Sequence, residues 1–531
     1  MQKNENRITG VVSVFILLLL LLTVRLFFLQ VYPNEKVQSQ YQNHQSEKIS
    51  ECKYMIVDTN GKDLMRYNKK YVVVIDRKPF SLNNYEETLE NLMALNFIMK
   101  EEIPDFSFTD IMRSEGKTYY TVSEDTYNKV NKLKTVKGIY TYIYDEADRK
   151  KAWSVSTFLS DIPREDLEEG SLYYELNEYL KYNNEPFKNF YLDDKAIYNK
   201  SELNISDDNR NLQLTIDKGI EDKVRDVISK EEYSKFSNIG VMIMESNTGK
   251  IRAMVQKDES DANINLCIEG SGYEPGSVFK LITLGAALDK WVVTLGDTFN
   301  CSGAICKNHV HGNINVEKAI EVSCNDVFAK IGNKVGYDDL MDYAEKSGLF
   351  KPVLNMRGSG KNETSGLKPK KDSGLNNISI GQCLNLSPIQ MLGATNAIVN
   401  DGVYIKPYLI ENILDKDDNI IETIKPEKEK VYSKTTSKLL KNSMIEVVKN
   451  GTGIKSKVDG IEIGGKTGSA TTADHNTHGW FSGFYKQDGK LYTMVVFLPN
   501  IDGKAGEGVE IGGGDTAAPI FGDIVKALNN K

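Results

Sequence analysis

Apolar residues follow three distinct rhythms along this chain. Between Ile8 and Val31 they run almost unbroken, with six consecutive leucines from Leu17 to Leu22. A helix of about 20 apolar residues is enough to span a bilayer core. Elsewhere a period of two marks strands. Tyr140, Tyr142 and Tyr144 alternate along one segment, and Ile461 and Ile463 alternate with Gly460 and Glu462. The runs Val241–Met244 and Ile251–Val255 flank Ser246-Asn247-Thr248-Gly249, and Gly479–Tyr485 and Leu491–Leu498 flank Gln487-Asp488-Gly489. Each pair is expected to fold as a hairpin. The third rhythm is helical. Pro275-Gly276 breaks the chain ahead of Ser277–Leu284, which reads as the first turns of a buried helix, and Ala518–Leu528 fits a closing helix. Strands at both ends with helices between them suit an α+β domain, an antiparallel sheet covered by helices.

Length and charge narrow the class. The 531 residues allow two or three domains, and 40% hydrophobic residues permit a large core. A formal net charge of −8 with no long basic run argues against a nucleic-acid partner. No small-x-small cleavage site follows the Ile8–Val31 run; Arg25, Gln30 and Tyr32 come instead. That favours a retained single transmembrane helix at 8–31, with Arg25 snorkelling to the outer interface. Lys3 and Arg7 in the 1–7 tail put the N-terminus in the cytoplasm and the rest of the chain outside it. Residues 32–210 hold no catalytic motif and read as a spacer and docking region.

The chemistry lies further on, in three short patterns in order. They are Ser277-Val278-Phe279-Lys280, Ser323-Cys324-Asn325 and Lys466-Thr467-Gly468-Ser469. Together they make the S-x-x-K, S-x-N, K-T-G set. A serine hydroxyl is a weak nucleophile until a base takes its proton. Residues three apart share a helix face, so Lys280 can reach Ser277. Burial and a second cation, Lys466, would lower the Lys280 pKa and make it a base, and Lys466 would also anchor the substrate carboxylate. Ser323 can relay a proton to the leaving amine, and Asn325 can bind the substrate amide. The backbone N–H groups of Ser277 and Ser469 would form the oxyanion hole. The stretch Gly460–Thr467 also fits the phosphate-loop pattern G-x4-G-K-T, but that loop needs a helix directly after Lys-Thr. Ser469–Asp474 has no helical apolar period, so nucleotide binding is not expected.

By these motifs the chain resembles, and is identified as a member of, the class B penicillin-binding proteins. Other segments extend the likeness over 211–531: Asn211–Asp217, Ile380-Gly381-Gln382, Ser387-Pro388-Ile389-Gln390, Trp480–Phe484, and Gly512-Gly513-Gly514 with Ala517–Phe521. Met55–Gly61 resembles the entry to the family's pedestal domain. The resemblance implies a mixed pedestal at 32–210 and a transpeptidase domain at 211–531, with no cofactor for the chemistry. It also implies an acyl-enzyme on Ser277, peptidoglycan stem peptides as substrates, β-lactams as acylating mimics, and a membrane-embedded SEDS-family glycosyltransferase as partner. A D,D-carboxypeptidase, a β-lactamase or a non-catalytic β-lactam receptor would share the motifs.

Six cysteines are placed unevenly. Cys301, Cys306, His311 and Cys324 fall as C-x4-C-x4-H-x12-C. Three thiolates and an imidazole make a closed tetrahedral zinc site, and some elongation-type relatives of the family carry a metal in this region. A Cys301–Cys306 disulfide and free thiols are the alternatives. His475 and His478 are either alternative ligands or residues of an exposed loop.

Overall fold

The structure, a computed structural model, describes residues 14–25, 27, 44–147, 172–258, 266–267, 272–306, 309–356, 362–471, 476–501 and 512–529. Residues 14–25 and 27 are helical with exposed side chains. The rest of the expected 8–31 span and the 1–7 tail lie outside the described residues. Among the described residues no helix is long and apolar enough to cross a membrane.

The chain forms two compact units. The first comprises Met1–Lys53, Asn68–Glu146 and Asn184–Ser206. In it the strand Tyr67–Asp76 lies between Lys117–Val122 and Ile139–Ala147. Val73 and Ile75 bury one face of that sheet against Leu95 and Met99 of the helix Leu89–Glu102. Tyr140 and Tyr142 are buried on the other face with Phe190, as the alternation predicts. The buried Glu47 carboxylate accepts from Lys117 Nζ at 2.6 Å and Tyr140 Oη at 2.5 Å. That pairing satisfies a charge which would otherwise be costly to bury.

The second unit gathers Tyr54–Tyr67, Ala147–Asn183 and Asp207–Lys531. Its main elements are α1 (Lys218–Ile228), β1 (Gly240–Glu245), β2 (Ile251–Gln256), α2 (Lys280–Asp289), α3 (Asn325–Val335) and α4 (Pro388–Val399). They continue with α5 (Lys434–Asn450), β3 (Ile463–Thr471), β4 (Thr477–Gln487), β5 (Lys490–Ile501) and α6 (Ala517–Asn529). The strands form one antiparallel sheet in the order β2-β1-β5-β4-β3, which leaves β3 at an edge. Both expected hairpins are present. Asp488 and Gly489 close the second with φ of +47° and +81°, the left-handed pair a two-residue hairpin loop requires.

One face of the sheet packs Phe481, Tyr485, Met494 and Val496 against Val224, Val227 and Ile228 of α1 and Ile520, Phe521 and Ile524 of α6. The opposite face carries α4, buried along its whole length. Thr395 and Asn396 of α4 meet the sheet through hydroxyls, at 2.6 Å to Ser482 Oγ and 2.8 Å to Thr493 Oγ1. The Ser387–Gln390 segment starts this helix. Ser387 and Gln390 form a capping box with Pro388 at the first helical position, a device worth about 1 kcal/mol. This is the antiparallel sheet covered by helices that the sequence led us to expect.

Candidate active site

Pro275 and Gly276 lead first into a 3-10 turn, Gly276–Phe279, which α2 continues from Lys280. The expected helix therefore begins more tightly wound than an α-helix. Side chains three apart eclipse in a 3-10 turn, which keeps Ser277 and Lys280 on one side. Gly276 has φ +54°, and a Cβ there would lie 2.3 Å from Ser469 O on β3. Its N–H donates to Gly381 O at 3.0 Å, and a Cβ on Gly381 would lie 1.9 Å from Gly276 O. Three backbones thus meet with no room for a side chain, and the Ser277 turn is laid directly on the K-T-G strand. Gly276→Ala is expected to lose about 1–3 kcal/mol through the strained φ and the backbone clash. Thermal denaturation measures it, and an unchanged melting temperature would refute this account of the contact.

Lys280 is fully buried. Its Nζ donates to Ser323 O at 2.7 Å, Ser323 Oγ at 3.1 Å and Asn325 Oδ1 at 2.6 Å, and none of its hydrogen bonds goes to Ser277. It also stands over the Phe328 ring at 5.5 Å. Ser323 has φ +57°, a costly conformation for a non-glycine residue that is found mostly at functional sites. It precedes α3, whose first residue is Asn325. From the other side Lys466, also fully buried, donates to the same Ser323 Oγ at 2.9 Å and to Thr467 O at 3.0 Å. Two buried lysines thus converge on one hydroxyl.

Burial holds the Lys280 amine down at about 7 against its ordinary value near 10.5, while the Cys324 and Cys306 sulfurs oppose it. Burial first, and the Lys280 charge second, push Lys466 well below the same value. A site that keeps its lysines short of full protonation is a site that can use one as a base.

A cavity of ≈ 410 Å³ opens on this array, with Ser277, Ser323, Thr452, Thr467 and Ser469 in its wall. Thr467 Oγ1 donates to Thr452 Oγ1 at 2.8 Å, and Ser469 Oγ accepts from Gly513 N–H at 2.9 Å. The Gly512–Gly514 segment is thereby tied to the K-T-G strand.

The four expected metal ligands come together beside this site, all ligand atoms within 4.8 Å of one another. Cys301 Sγ lies 3.8 Å from Cys306 Sγ and 3.4 Å from His311 Nδ1, and Cys306 Sγ lies 3.7 Å from Cys324 Sγ. Sulfurs at ~2.3 Å from a tetrahedral zinc would be about 3.8 Å apart, so the donor set fits the ion. No disulfide joins Cys301 to Cys306. The cluster is also fastened to the catalytic wall. Asn325 Nδ2 donates to Ile305 O at 3.3 Å, and Asp326 Oδ2 accepts from Ser302 N–H at 2.6 Å.

The family described as penicillin binding protein transpeptidase domain matches residues 239–526, more than half of the chain. The chain belongs to the penicillin-binding protein transpeptidase family. It is 29% identical to stage V sporulation protein D of Bacillus subtilis over 60% of this chain and 53% of that protein. It is 30% identical to peptidoglycan D,D-transpeptidase PbpA of Mycolicibacterium smegmatis over 53% and 65%. Among solved structures, penicillin binding protein 2X of Streptococcus thermophilus shares the fold with a TM-score of 0.67 at 16% identity, over 92% of this chain and 80% of that one. The chain spans about half the length of the first curated relatives it matches. The class B resemblance read from the motifs agrees with these relatives.

In this penicillin-binding protein the K-T-G motif lies in mid-strand, with no helix after Lys466-Thr467. That removes the phosphate-loop reading. His478 is not in an exposed loop but buried in β4, edge-on to Tyr273, its Nδ1 accepting from Asn500 N–H at 3.1 Å. It takes no part in the cysteine cluster, and His475 lies outside the described residues. Two positioning features were missed in the sequence. Thr452 carried only the weak signal of a threonine between two glycines, and the left-handed Ser323 left no compositional trace.

Proposed function

We propose that this chain is a membrane-anchored peptidoglycan D,D-transpeptidase working through a serine acyl-enzyme. The convergence of buried Lys280 and Lys466 on Ser323 Oγ, in the wall of a cavity that also presents Ser277, carries the reading. Ser277 Oγ attacks the carbonyl of the D-Ala-D-Ala bond, and neutral Lys280 takes its proton. Ser323 Oγ, bridging both amines, passes a proton to the leaving D-alanine. The oxyanion falls to the N–H groups of Ser277 and Ser469, donors worth roughly 3–4 kcal/mol each in such sites.

Two roles differ from the sequence expectation. Lys466 is fully buried, so the substrate carboxylate is left to Thr467 and Ser469, with Lys466 behind them as a donor to Ser323 Oγ and Thr467 O. Asn325 has one amide end on Lys280 and the other on Ile305 O, which makes it chiefly a positioning residue. The described residues of the cavity wall include one carboxylate, Asp515, and it is paired with Lys455. That favours aminolysis over a dedicated hydrolase.

We also assign Cys301, Cys306, His311 and Cys324 to a structural zinc ion, supported by the sulfur spacing. It would brace the Ser323–Asn325 segment and supply no step of the reaction. Residues 8–31 anchor the chain in the membrane, N-terminus inside, with the catalytic unit outside and a SEDS-family glycosyltransferase as polymerising partner. The test is the product formed from lipid-linked substrate. With such a glycosyltransferase present, cross-linked dimers should form and disappear with penicillin. Shortened stems without dimers would mean a carboxypeptidase instead.

A further inference from the structure

The established motifs leave one part of the cavity wall without a task. Beyond Thr467 it continues through Thr452 to Ile454, Lys455 and Asp515. Lys455 Nζ pairs with Asp515 Oδ1 at 2.6 Å, and the two side chains are 55% and 52% exposed. They are the one cation and the one anion among the described lining residues. Ile454, in the same short 3-10 turn as Lys455, leaves 54% of its surface exposed. The position is fixed by close backbone packing. A Cβ on Gly514 would lie 2.9 Å from Thr452 O and 3.8 Å from Thr467 Cγ2, which brings the Asp515 turn against the end of the K-T-G hydroxyls.

Resting on the transpeptidase reading, we infer that Lys455 and Asp515 form the subsite for the acceptor, and that they select an amine whose own carbon bears a carboxylate. If Thr467 and Ser469 hold the donor's terminal carboxylate, the wall past Thr467 lines the space vacated by the departing D-alanine. The next amine enters there. Asp515 attracts the incoming ammonium, which gives one proton to solvent before it reacts, and Lys455 pairs with the neighbouring carboxylate, while exposed Ile454 offers apolar contact to the alkyl chain behind them. In the transfer step the neutral amine nitrogen bonds to the acyl carbon. The ester bond to Ser277 Oγ breaks, and the proton lost by the amine ends on that oxygen by way of Lys280. A plain alkylamine would offer Lys455 no carboxylate beyond that of Asp515.

The test is a competition on the full chain in detergent micelles, acylated from a thioester donor. D-Alanine and D-alaninamide are offered together at equal free-base concentrations. The ratio of the two aminolysis products is independent of how fast a given variant is acylated. The wild type should favour the carboxylate-bearing amine by about fivefold, the discrimination an exposed ion pair can supply. The ratio should fall to about one in Lys455→Gln and invert in Lys455→Glu. A ratio near one in the wild type overturns the inference, whatever the variants do. So does an unchanged ratio in both variants, and if their acylation is slowed as well, Lys455 serves the donor carboxylate. Absence of any acyl-enzyme on Ser277 would instead end the transpeptidase reading itself.

Discussion

Lys280→Ala is expected to slow acylation by penicillin by roughly 10²–10⁴-fold, the contribution of a positioned general base. The loss should run deeper than proton transfer alone, because Lys280 Nζ also ties Ser323 O, Ser323 Oγ and Asn325 Oδ1 into one array. In the unmodified protein the second-order rate should carry the titration of this amine. Burial holds it down to about 7, and the base is the neutral form. The rate should therefore rise about tenfold per pH unit below 7 and level off above it. Lys466 faces the same hydroxyl, and the Cys324 and Cys306 sulfurs raise the Lys280 value against the effect of burial. Stopped-flow acylation across pH 5–9, with the Lys280→Ala profile beside it, is the measurement. A flat profile, or near-normal rates in Lys280→Ala, would remove Lys280 from the base role.

Loss of a ligand from the cysteine cluster should be the next largest effect. Structural zinc contributes on the order of 10 kcal/mol to folding in small peptides, and here the ligand set is joined to the catalytic wall. Cys324 lies between Ser323 and Asn325, and Ile305 O, next to Cys306, accepts from the Asn325 amide. Elemental analysis should find close to one zinc per chain. Cys306→Ser and His311→Ala should lose it, melt at lower temperature and acylate Ser277 more slowly. Chelation of the unmodified protein should have the same effect. Metal-free protein with full stability and full acylation would dispose of the zinc assignment.

The sequence exposed the chemistry of this site more fully than its geometry. Ser277, Lys280, Ser323 and Lys466 are named by motifs whose spacing follows from helix and strand periodicity, and both hairpins of the sheet follow from apolar runs broken by Gly-containing turns. What stayed hidden depends on long-range packing. The 3-10 start of α2 arises where Gly276 lies against Ser469 and Gly381, contacts between segments far apart in sequence. Asn325 reads as a substrate ligand until both ends of its amide are seen to be engaged. Lys466 reads as a carboxylate anchor until its complete burial is known. His478 follows a polar stretch that suggested a loop, yet strand pairing with Ala470 carries it into the interior.

The central claim is that Ser277 is the nucleophile of this array. Full-length protein treated with a fluorescent penicillin and digested should give one labelled peptide, modified on Ser277 by mass spectrometry, and Ser277→Ala should give none. Label on another serine, or persistent labelling of Ser277→Ala, would contradict it.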